Sequence, residues 1–437
     1  MVTLRTHAWG KGPMTAATRS PTGSTLRNNP IPFLALVFIT AVSACAEDWP
    51  RWRGRHGSAV AEGSGLPTSW DNSAHVSWKA KIPGEGVSSP IVWGRWVLLT
   101  SARDRGLQRL VHCIERRTGR LLWTRVIADD NPELTSPLTG HAAATPVTDG
   151  RRVVASFGNA GLVCYTLAGE LRWRRSLGEF ESELGLASSP ILYDDSVIQL
   201  CDHDGNRFQT FDSFLIAVEL ETGDMRWQVT RPKLFRSWST PVLVPTRSGQ
   251  LELVVNAQQE LRGYDPDSGE RLWHVEGMTG WVTPSPVFGC GMVFGCSGRN
   301  GPTMAVRPGG RGDVTSTHVA WTVQTGSPYV CSPLLYQGYL YLHDEQGVLS
   351  CYEAQTGRRL YRHRLLGKFT ASPVAGDEKV FVTNELGTTY VLESGPEFRL
   401  VATNRLGEPC LASPAIASPN LFIRTQEYLY CIGPGDQ

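Results

Sequence analysis

Short apolar runs alternate with polar turns along most of this chain, and eight of these runs begin in the same way. Each follows a Ser or Thr and then a Pro, and successive prolines lie 56, 44, 51, 45, 47, 40 and 41 residues apart. That period is close to the length of one four-stranded propeller blade. The eight dipeptides, one for each predicted blade, are Ser89-Pro90, Thr145-Pro146, Ser189-Pro190, Thr240-Pro241, Ser285-Pro286, Ser332-Pro333, Ser372-Pro373 and Ser413-Pro414.

Each repeat is predicted to form four short antiparallel strands separated by Gly and Asp or Asn turns. In the seventh repeat these strands cover 371–375, 379–383, 389–393 and 399–403. Proline suits the start of the innermost strand, because that strand is a sheet edge where a missing N–H breaks no ladder. Most copies also have a turn Gly followed four residues later by an aromatic residue that should pack on the neighbouring blade. These pairs are Gly119/Trp123, Gly169/Trp173, Gly223/Trp227, Gly269/Trp273 and Gly357/Tyr361.

The two ends of the chain predict how the ring closes. The last repeat supplies only three strands, and the missing outer strand, with its Trp, is found at 75–79. Pairing this segment into the last blade leaves no long sheet edge open. The predicted fold is therefore all-β, an eight-bladed β-propeller over 76–437, with less than a tenth of the mature chain helical.

The first 45 residues have the pattern of an export signal. An apolar stretch at 31–44 follows four basic residues and no acidic one, and it is too short to span a bilayer as a helix. Cleavage after Ala44 or Ala46 is one reading, and the other is a lipobox ending at Cys45, which would then be lipidated. Either reading predicts an exported protein, periplasmic or associated with the cell envelope, that meets a membrane only through this signal or a lipid anchor.

Charge argues against a nucleic-acid partner. The predicted signal contains four of the 42 Lys and Arg residues and none of the 41 Asp and Glu residues, so its removal moves the formal charge from +1 to about −3. A near-neutral surface gives no electrostatic reason to bind a polyanion.

Ten cysteines in an exported chain raise the question of disulfides. Their repeat positions favour buried thiols, because the site that holds Cys113, Cys164, Cys351 and Cys431 holds Ala217 in another copy, as expected where a small residue is needed. A pairing of Cys290 with Cys296 stays open at this stage.

The strand pieces LVHCIERRTGRLLW and VLSCYEAQTGRRLY, together with the eight Ser/Thr-Pro starts, resemble the quinoprotein (PQQ-like) repeat. The entry segment DWPRWRGRHG at 48–57 and GEGVSSPIVWG at 84–94 resemble exported propellers of planctomycete-type bacteria, which are usually grouped with BamB-like outer-membrane assembly factors. The resemblance implies either a scaffold that binds other proteins or a quinone-dependent dehydrogenase.

For a quinoprotein alcohol dehydrogenase the resemblance would imply a vicinal Cys-Cys disulfide and carboxylate ligands for Ca²⁺ beside PQQ. The sequence has no Cys-Cys pair and no C-x-x-C-H haem motif. Asp202 and Asp204 have a spacing that would suit a Ca²⁺ loop, but other repeats place similar residues in ordinary hairpins. No metal or cofactor is therefore expected, and the Arg311-Gly312-Asp313 tripeptide is interpreted as turn composition.

The loops that lead into the innermost strands should ring one mouth of the channel. Their side chains differ between blades, mix both charges with aromatic groups, and are the predicted binding site. The candidates are Glu85, His141, Arg236, Trp238, Trp281, Tyr329 and Lys368.

Before the repeats, an arm at 46–75 carries Trp49, Trp52 and Trp70. These residues are expected to fasten the arm over the blade exteriors, and the alternative is that they present a patch that binds a partner. Taken together, these features predict a monomeric, non-catalytic exported scaffold that binds proteins or envelope polymers. The alternative is a PQQ-dependent oxidoreductase of alcohols or sugars.

Overall fold

The computed structural model describes residues 47–72, 74–180, 183–203, 212–232 and 236–434. Eight antiparallel sheets are arranged in chain order, seven of four strands and one with an added fifth strand. Helix is almost absent, since the one α-helix of the described residues, α1 (Thr315–His318), has a single turn. No helix in this part of the chain is long and apolar enough to cross a membrane. The eight-bladed, all-β prediction is confirmed.

The strands of blades 1 to 4 follow the predicted repeats. They are β2 (Ile91–Trp93), β3 (Trp96–Arg103), β4 (Gln108–Glu115) and β5 (Leu121–Ala128) in blade 1; β6 (Val147–Thr148), β7 (Arg152–Phe157), β8 (Gly161–Thr166) and β9 (Leu171–Arg175) in blade 2; β10 (Ile191–Tyr193), β11 (Ser196–Cys201), β12 (Ser213–Glu219) and β13 (Met225–Arg231) in blade 3; and β14 (Val242–Pro245), β15 (Leu251–Ala257), β16 (Glu260–Tyr264) and β17 (Arg271–Glu276) in blade 4, to which β21 (Gly312–Asp313) is added.

Blades 5 to 8 continue the pattern, with the N-terminal strand in the last one. They contain β18 (Val287–Gly289), β19 (Met292–Cys296), β20 (Thr303–Val306) and β22 (Val319–Val323) in blade 5; β23 (Leu334–Tyr336), β24 (Tyr339–His343), β25 (Val348–Glu353) and β26 (Arg359–Arg364) in blade 6; β27 (Val374–Gly376), β28 (Lys379–Thr383), β29 (Thr388–Glu393) and β30 (Leu400–Arg405) in blade 7; and β31 (Ala415–Ala417), β32 (Asn420–Arg424), β33 (Tyr428–Ile432) and β1 (Val76–Lys81) in blade 8.

Strand β1 closes the ring as the sequence predicts. It pairs antiparallel with β33, with Trp78 opposite Cys431 and Lys81 opposite Tyr428. Chain ends far apart in sequence therefore share one sheet, and blade 8 has its full four strands. This arrangement protects the long edge that β33 would otherwise expose.

The repeated Ser or Thr forms a chain of hydrogen bonds around the channel. At seven of the eight joints its backbone amide donates to the hydroxyl of its counterpart in the next blade, at 2.8 to 3.0 Å. An Ala at this position would leave a buried N–H of the preceding blade unpaired, which explains why the motif needs a hydroxyl. The chain runs from Ser89 through Thr145, Ser189, Thr240, Ser285, Ser332 and Ser372 to Ser413.

The eighth joint, between blades 8 and 1, is built differently. Ser89 Oγ is buried there without a hydrogen-bond partner among the described residues. The buried Arg424 of β32 instead donates through Nη1 to the carbonyls of Ser88 and Thr100, at 2.9 and 2.8 Å. A side chain from the last blade thus replaces the amide-to-hydroxyl bond where the ring closes.

Tryptophan from the outer strand of one blade joins it to the next blade. At five joints its indole Nε1 donates to a carbonyl in the following blade's turn, at 2.8 to 3.2 Å. The turn Gly lies directly under the ring, since a Cβ added to Gly223 would come within 2.7 Å of Trp173. The bonds are Trp78 to Arg116, Trp123 to Leu167, Trp173 to Leu220, Trp227 to Pro266 and Trp321 to Ala354.

The small residue of each repeat lies directly opposite this aromatic residue in its own blade. The pairs include Cys113 with Trp123 and Ala217 with Trp227. The small side chain is therefore needed because the Trp side chain of the adjacent strand in the same blade lies opposite it. The nine described cysteines are free and all but Cys290 are buried, as predicted. Cys290 and Cys296 do not pair, because Cys290 precedes strand β19 and Cys296 ends it.

The N-terminal arm crosses the channel end rather than the blade exteriors, which corrects the sequence prediction. Trp49 exchanges both backbone hydrogen bonds with Val92 of blade 1, at 2.8 and 2.9 Å. Farther along, the buried Arg53 donates through Nη2 to the carbonyl of Pro333 in blade 6. Trp52 lies between these contacts, and its Nε1 donates to Ser285 Oγ of blade 5 at 3.3 Å. The arm therefore ties together innermost strands on different sides of the ring.

Trp70, at the end of the arm, supports a blade that lacks its own tryptophan. In blade 7 the repeat's Trp position holds Ala402. The Trp70 amide donates to Asn404 Oδ1, and Asn404 Nδ2 donates back to the Thr68 carbonyl, both at 3.0 Å. With its side chain buried, Trp70 supplies an aromatic ring to this part of the core.

Blade 4 is the irregular member of the ring. The chain returns from blade 5 to place β21 parallel to β17, with Asp313 opposite His274. The turn predicted over Arg311-Gly312-Asp313 is wrong, because Gly312 and Asp313 form this fifth strand. Trp273 has no Gly turn to meet here, and its Nε1 donates to Glu252 Oε2 at 2.8 Å.

Replacing Trp173 by Ala should lower the free energy of unfolding by about 3 to 5 kcal/mol, because the buried ring spans two blades. Trp173→Phe keeps most of the apolar contact and loses the hydrogen bond to Leu220, so it should cost less. Leu171→Ala, at an exposed position of the same strand, should stay within about 0.5 kcal/mol of the wild type. Chemical denaturation measures all three, and equal costs for Trp173→Ala and Leu171→Ala would contradict this role.

His343 makes the stability of the ring sensitive to acid. It is fully buried, neither ring nitrogen has a partner among the described residues, and burial lowers its pKa from 6.5 to about 3. Because the folded-state pKa is depressed, the neutral ring's contribution is present above pH 6.5 and is lost as the pH falls toward 3. Between pH 7 and pH 5 this amounts to about 2 kcal/mol. Chemical denaturation at both pH values should therefore show that His343→Leu loses less unfolding free energy from pH 7 to pH 5 than the wild type does. Equal losses in the two proteins would contradict this role of His343.

Candidate functional site

The N-terminal arm obstructs one end of the channel. The arm meets the innermost strands near their last residues, at Val92 and Ala375. The loops that precede those strands therefore surround the opposite end, which we call the mouth. Between the two lies a cavity of about 230 Å³, lined by the ring of Ser and Thr hydroxyls and by apolar side chains. Trp52 of the arm and, among the mouth loops, Trp238 and Tyr329 are part of this lining.

Four of the seven predicted mouth residues form one group with an arginine that the sequence did not single out. We call Arg236, Trp238, Trp281, Arg299 and Tyr329 the Arg–Trp cluster. Two guanidinium groups lie over the Trp281 ring, with the Arg236 Cζ 4.4 Å and the Arg299 Cζ 4.1 Å from its centroid. Arg299 also lies 4.8 Å from the Tyr329 ring, and Trp238 stacks on Trp281 at 6.1 Å. A guanidinium group over an aromatic face is attracted by the negative charge of the ring's π electrons.

Buried contacts position the base of the cluster. Trp238 is 8% exposed, and its Nε1 donates to the Gly185 carbonyl at 2.7 Å, across to the preceding mouth loop. Its backbone amide donates to the Val282 carbonyl at 3.1 Å, so the loops of blades 4 and 5 are joined beside Trp281. The aromatic rings are therefore held in place, while Arg299 is exposed at the mouth.

The backbone at both arginines has a conformation that L-residues rarely adopt. Arg236 has φ of 63° and Arg299 has φ of 44°, in the left-handed region. A non-glycine residue there is strained, and such strain is concentrated at functional sites. Arg299 lies in the turn between the second and third strands of blade 5, which reaches the same end as the mouth loops. Sequence reasoning missed it because only the loops before each proline were considered.

The other three predicted residues do not join the cluster. Glu85 is exposed, and its backbone bridges Ala102 in blade 1. It lines, with the half-buried His141, a cleft of about 790 Å³ on the side where blades 8, 1 and 2 meet. Lys368 is exposed between blades 6 and 7, where its carbonyl accepts the Glu385 amide at 2.8 Å.

A buried cluster of three charged side chains holds the backbone of His141 in place. Arg109 is fully buried and donates through Nη2 to Asp129 and Glu133, at 2.7 and 2.8 Å, and through Nη1 to the His141 carbonyl at 2.5 Å. Burial, followed by the positive charge of Arg109, lowers the pKa of His141. This side chain therefore stays neutral at physiological pH.

Of the two weak Ca²⁺ candidates, Asp202 and Asp204, the structure describes only Asp202. Asp202 is buried and ion-paired with Arg231 Nη1 of the outer strand of blade 3. Burial raises the pKa of Asp202 to about 6. Asp204 lies outside the described residues, as do Cys45 and the predicted export signal.

Comparison with sequence models of protein families assigns this chain to a family. A sequence model of the family described as "Outer membrane protein assembly factor BamB" matches residues 55–199, 212–305 and 299–395. The chain belongs to this family. The match covers most of the BamB-family propeller described above, from the arm to blade 7. A search among curated protein sequences gave no match.

Solved structures share the fold of this BamB-family protein across different functions. BamB from Moraxella catarrhalis is 10% identical, with a TM-score of 0.59, and the alignment covers 83% of this chain and 98% of that one. Quinohemoprotein alcohol dehydrogenase from Comamonas testosteroni is 11% identical, with a TM-score of 0.68 and coverages of 92% and 82%. The corresponding enzyme ADHIIG from Pseudomonas putida HK5 is 10% identical, with a TM-score of 0.66 and coverages of 90% and 81%. At these identities the similarity shows the fold alone.

Proposed function

We propose that this protein is an exported, non-catalytic scaffold that binds a protein or cell-envelope polymer at the channel mouth. The observation that carries the proposal is the Arg–Trp cluster, in which Arg236 and Arg299 both lie over the Trp281 ring at the channel mouth. Arginine, tryptophan and tyrosine are the residue types enriched at the energetic centres of protein interfaces.

The chemistry of the cluster indicates what the partner presents. Guanidinium groups bind carboxylates or phosphates through directed hydrogen bonds. The cavity below the cluster is lined by apolar groups, including Val87, Leu184 and Val330. A partner segment with an acidic group beside an apolar side chain would therefore match both features, the acid at the arginines and the apolar group in the channel.

A quinone-dependent oxidoreductase is the rival function, and the channel lining gives it little support. The described residues around the 230 Å³ cavity contribute hydroxyl and apolar groups, and none is a carboxylate or a thiol. PQQ with Ca²⁺ would need carboxylate ligands for the ion beside the quinone. The residues present therefore do not fit that cofactor, and we propose no cofactor for the mouth.

The cellular setting is inferred from the family and the signal-like N-terminus. The family description refers to outer-membrane protein assembly. An exported location in the periplasm or cell envelope, with protein partners and a monomeric ring, is consistent with that description. Cleavage or lipidation of the segment that ends at Cys45 would deliver the chain there.

The double substitution Arg236→Ala and Trp281→Ala should abolish partner capture from the solubilised envelope fraction. Because Arg236 and Trp281 lie at the mouth and not in the blade core, stability should fall by no more than about 1 to 2 kcal/mol. Arg95→Ala with Trp96→Ala is the matched control, since this pair lies in the hairpin from β2 to β3 at the other end of the channel. Affinity capture with quantitative mass spectrometry and chemical denaturation provide the two readouts.

Two results would contradict the proposal. Capture that survives the mouth substitutions but is lost in the matched control would place the binding surface at the arm end. Saturable binding of PQQ with Ca²⁺, followed by reduction of an artificial electron acceptor with an alcohol or sugar, would instead establish the oxidoreductase.

A further inference from the structure

An unassigned cluster of ligand-type side chains lies on the third and fourth strands of the irregular blade 4. Glu260 begins strand β16, and His274 and Glu276 lie near the end of the adjacent strand β17. One ligand atom from each of the three side chains lies within 4.8 Å of the others. We propose that these three residues bind a divalent transition-metal ion, with Zn²⁺ as the expected occupant.

The strand register places two like charges face to face. Glu260 is directly opposite Glu276 in the antiparallel pair, a pairing that is unfavourable for two carboxylates without a cation between them. Arg262 compensates only one of them, since its Nε donates to Glu260 Oε2 at 2.6 Å. Glu276 has no ion-pair partner among the residues that the structure describes. A bound cation would balance the remaining charge.

The histidine adds an observation that is independent of the two carboxylates. His274 Nδ1 is buried and has no hydrogen-bond partner in the described part of the chain. A buried polar atom without a partner is costly, and a neutral imidazole nitrogen is a common ligand for transition metals. The cluster thus combines an unsatisfied ring with an uncompensated carboxylate on adjacent strands.

The donor set selects the type of ion. One imidazole nitrogen with two carboxylate oxygens suits Zn²⁺, whereas Ca²⁺ and Mg²⁺ prefer oxygen ligands alone. Ligands about 2.1 Å from a tetrahedral ion are roughly 3.4 Å apart, so modest rotations of the two Glu side chains complete the geometry. The hydrogen bond from Arg262 would orient Glu260, and a water molecule would occupy the fourth position beside the exposed Glu276.

The added fifth strand and helix α1 hold two of the proposed ligands in place. Strand β21 pairs with β17 beside His274, and the Glu276 amide donates to Thr315 Oγ1 of helix α1 at 3.0 Å. These contacts fix both ends of the His274 to Glu276 segment. The metal would then fasten β16 to β17 at the point where the added strand joins the sheet.

Titration of the EDTA-stripped protein with Zn²⁺, Ca²⁺ and Mg²⁺ by isothermal calorimetry tests the proposal. We expect saturable binding of one Zn²⁺ and none of Ca²⁺ or Mg²⁺. His274→Gln and Glu276→Gln should each weaken Zn²⁺ binding by at least about tenfold. His318→Gln, in the neighbouring helix, is the matched control and should bind as the wild type does.

Thermal unfolding gives a second readout that does not depend on calorimetric heats. Zn²⁺ should raise the melting temperature of the wild type and of His318→Gln, and should not raise that of His274→Gln. Absence of saturable Zn²⁺ binding by the wild type would overturn the proposal. So would one-equivalent binding that His274→Gln and Glu276→Gln leave unchanged, because the ion would then bind elsewhere.

Discussion

A ring of eight similar sheets holds together only if every blade is bound to the next, and the hydrogen bond from a backbone amide to a Ser or Thr hydroxyl makes that connection at the channel wall. It recurs at seven joints within 0.2 Å, whatever else differs between the blades. The Trp hydrogen bonds join the blades at their outer strands, far from the channel wall. Together the inner and outer bonds fix the angle between neighbouring blades, and this angle determines where the mouth loops lie.

The connections that depart from the repeat show where the ring needs other parts of the chain. Arg424 replaces the hydroxyl bond at the closure joint, and Trp70 of the arm covers the blade that has Ala402 instead of Trp. Arg53 reaches the inner strand of blade 6 from the arm. Burial lowers the pKa of Arg53 to about 9, so it still carries its charge at neutral pH. The arm is therefore part of the ring's structure, and it occupies the end of the channel opposite the mouth.

Periodicity made the fold predictable, while the sites depend on contacts that periodicity does not encode. Ser89 and its counterparts identify blade starts because a repeated bond requires a repeated residue. Trp281 was found because it occupies the position five residues before its proline, which recurs in every repeat, and Tyr329 because it lies next to that position. Arg299 was missed, since it belongs to a different turn, and the pairing of Glu260 with Glu276 depends on strand register. The path of the arm across the channel rests on single contacts such as Trp52 with Ser285, for which no repeat provides a template.

Closure by strand β1 is the central structural claim, and paired truncations test it most directly. Deleting 46–74 removes the arm and keeps β1, whereas deleting 46–80 also removes nearly all of β1 and leaves β33 as an open edge. We predict that the longer deletion lowers the melting temperature well below that of the shorter one and broadens the transition. Identical melting of the two truncated proteins would show that the ring does not depend on its N-terminal strand and would contradict the account.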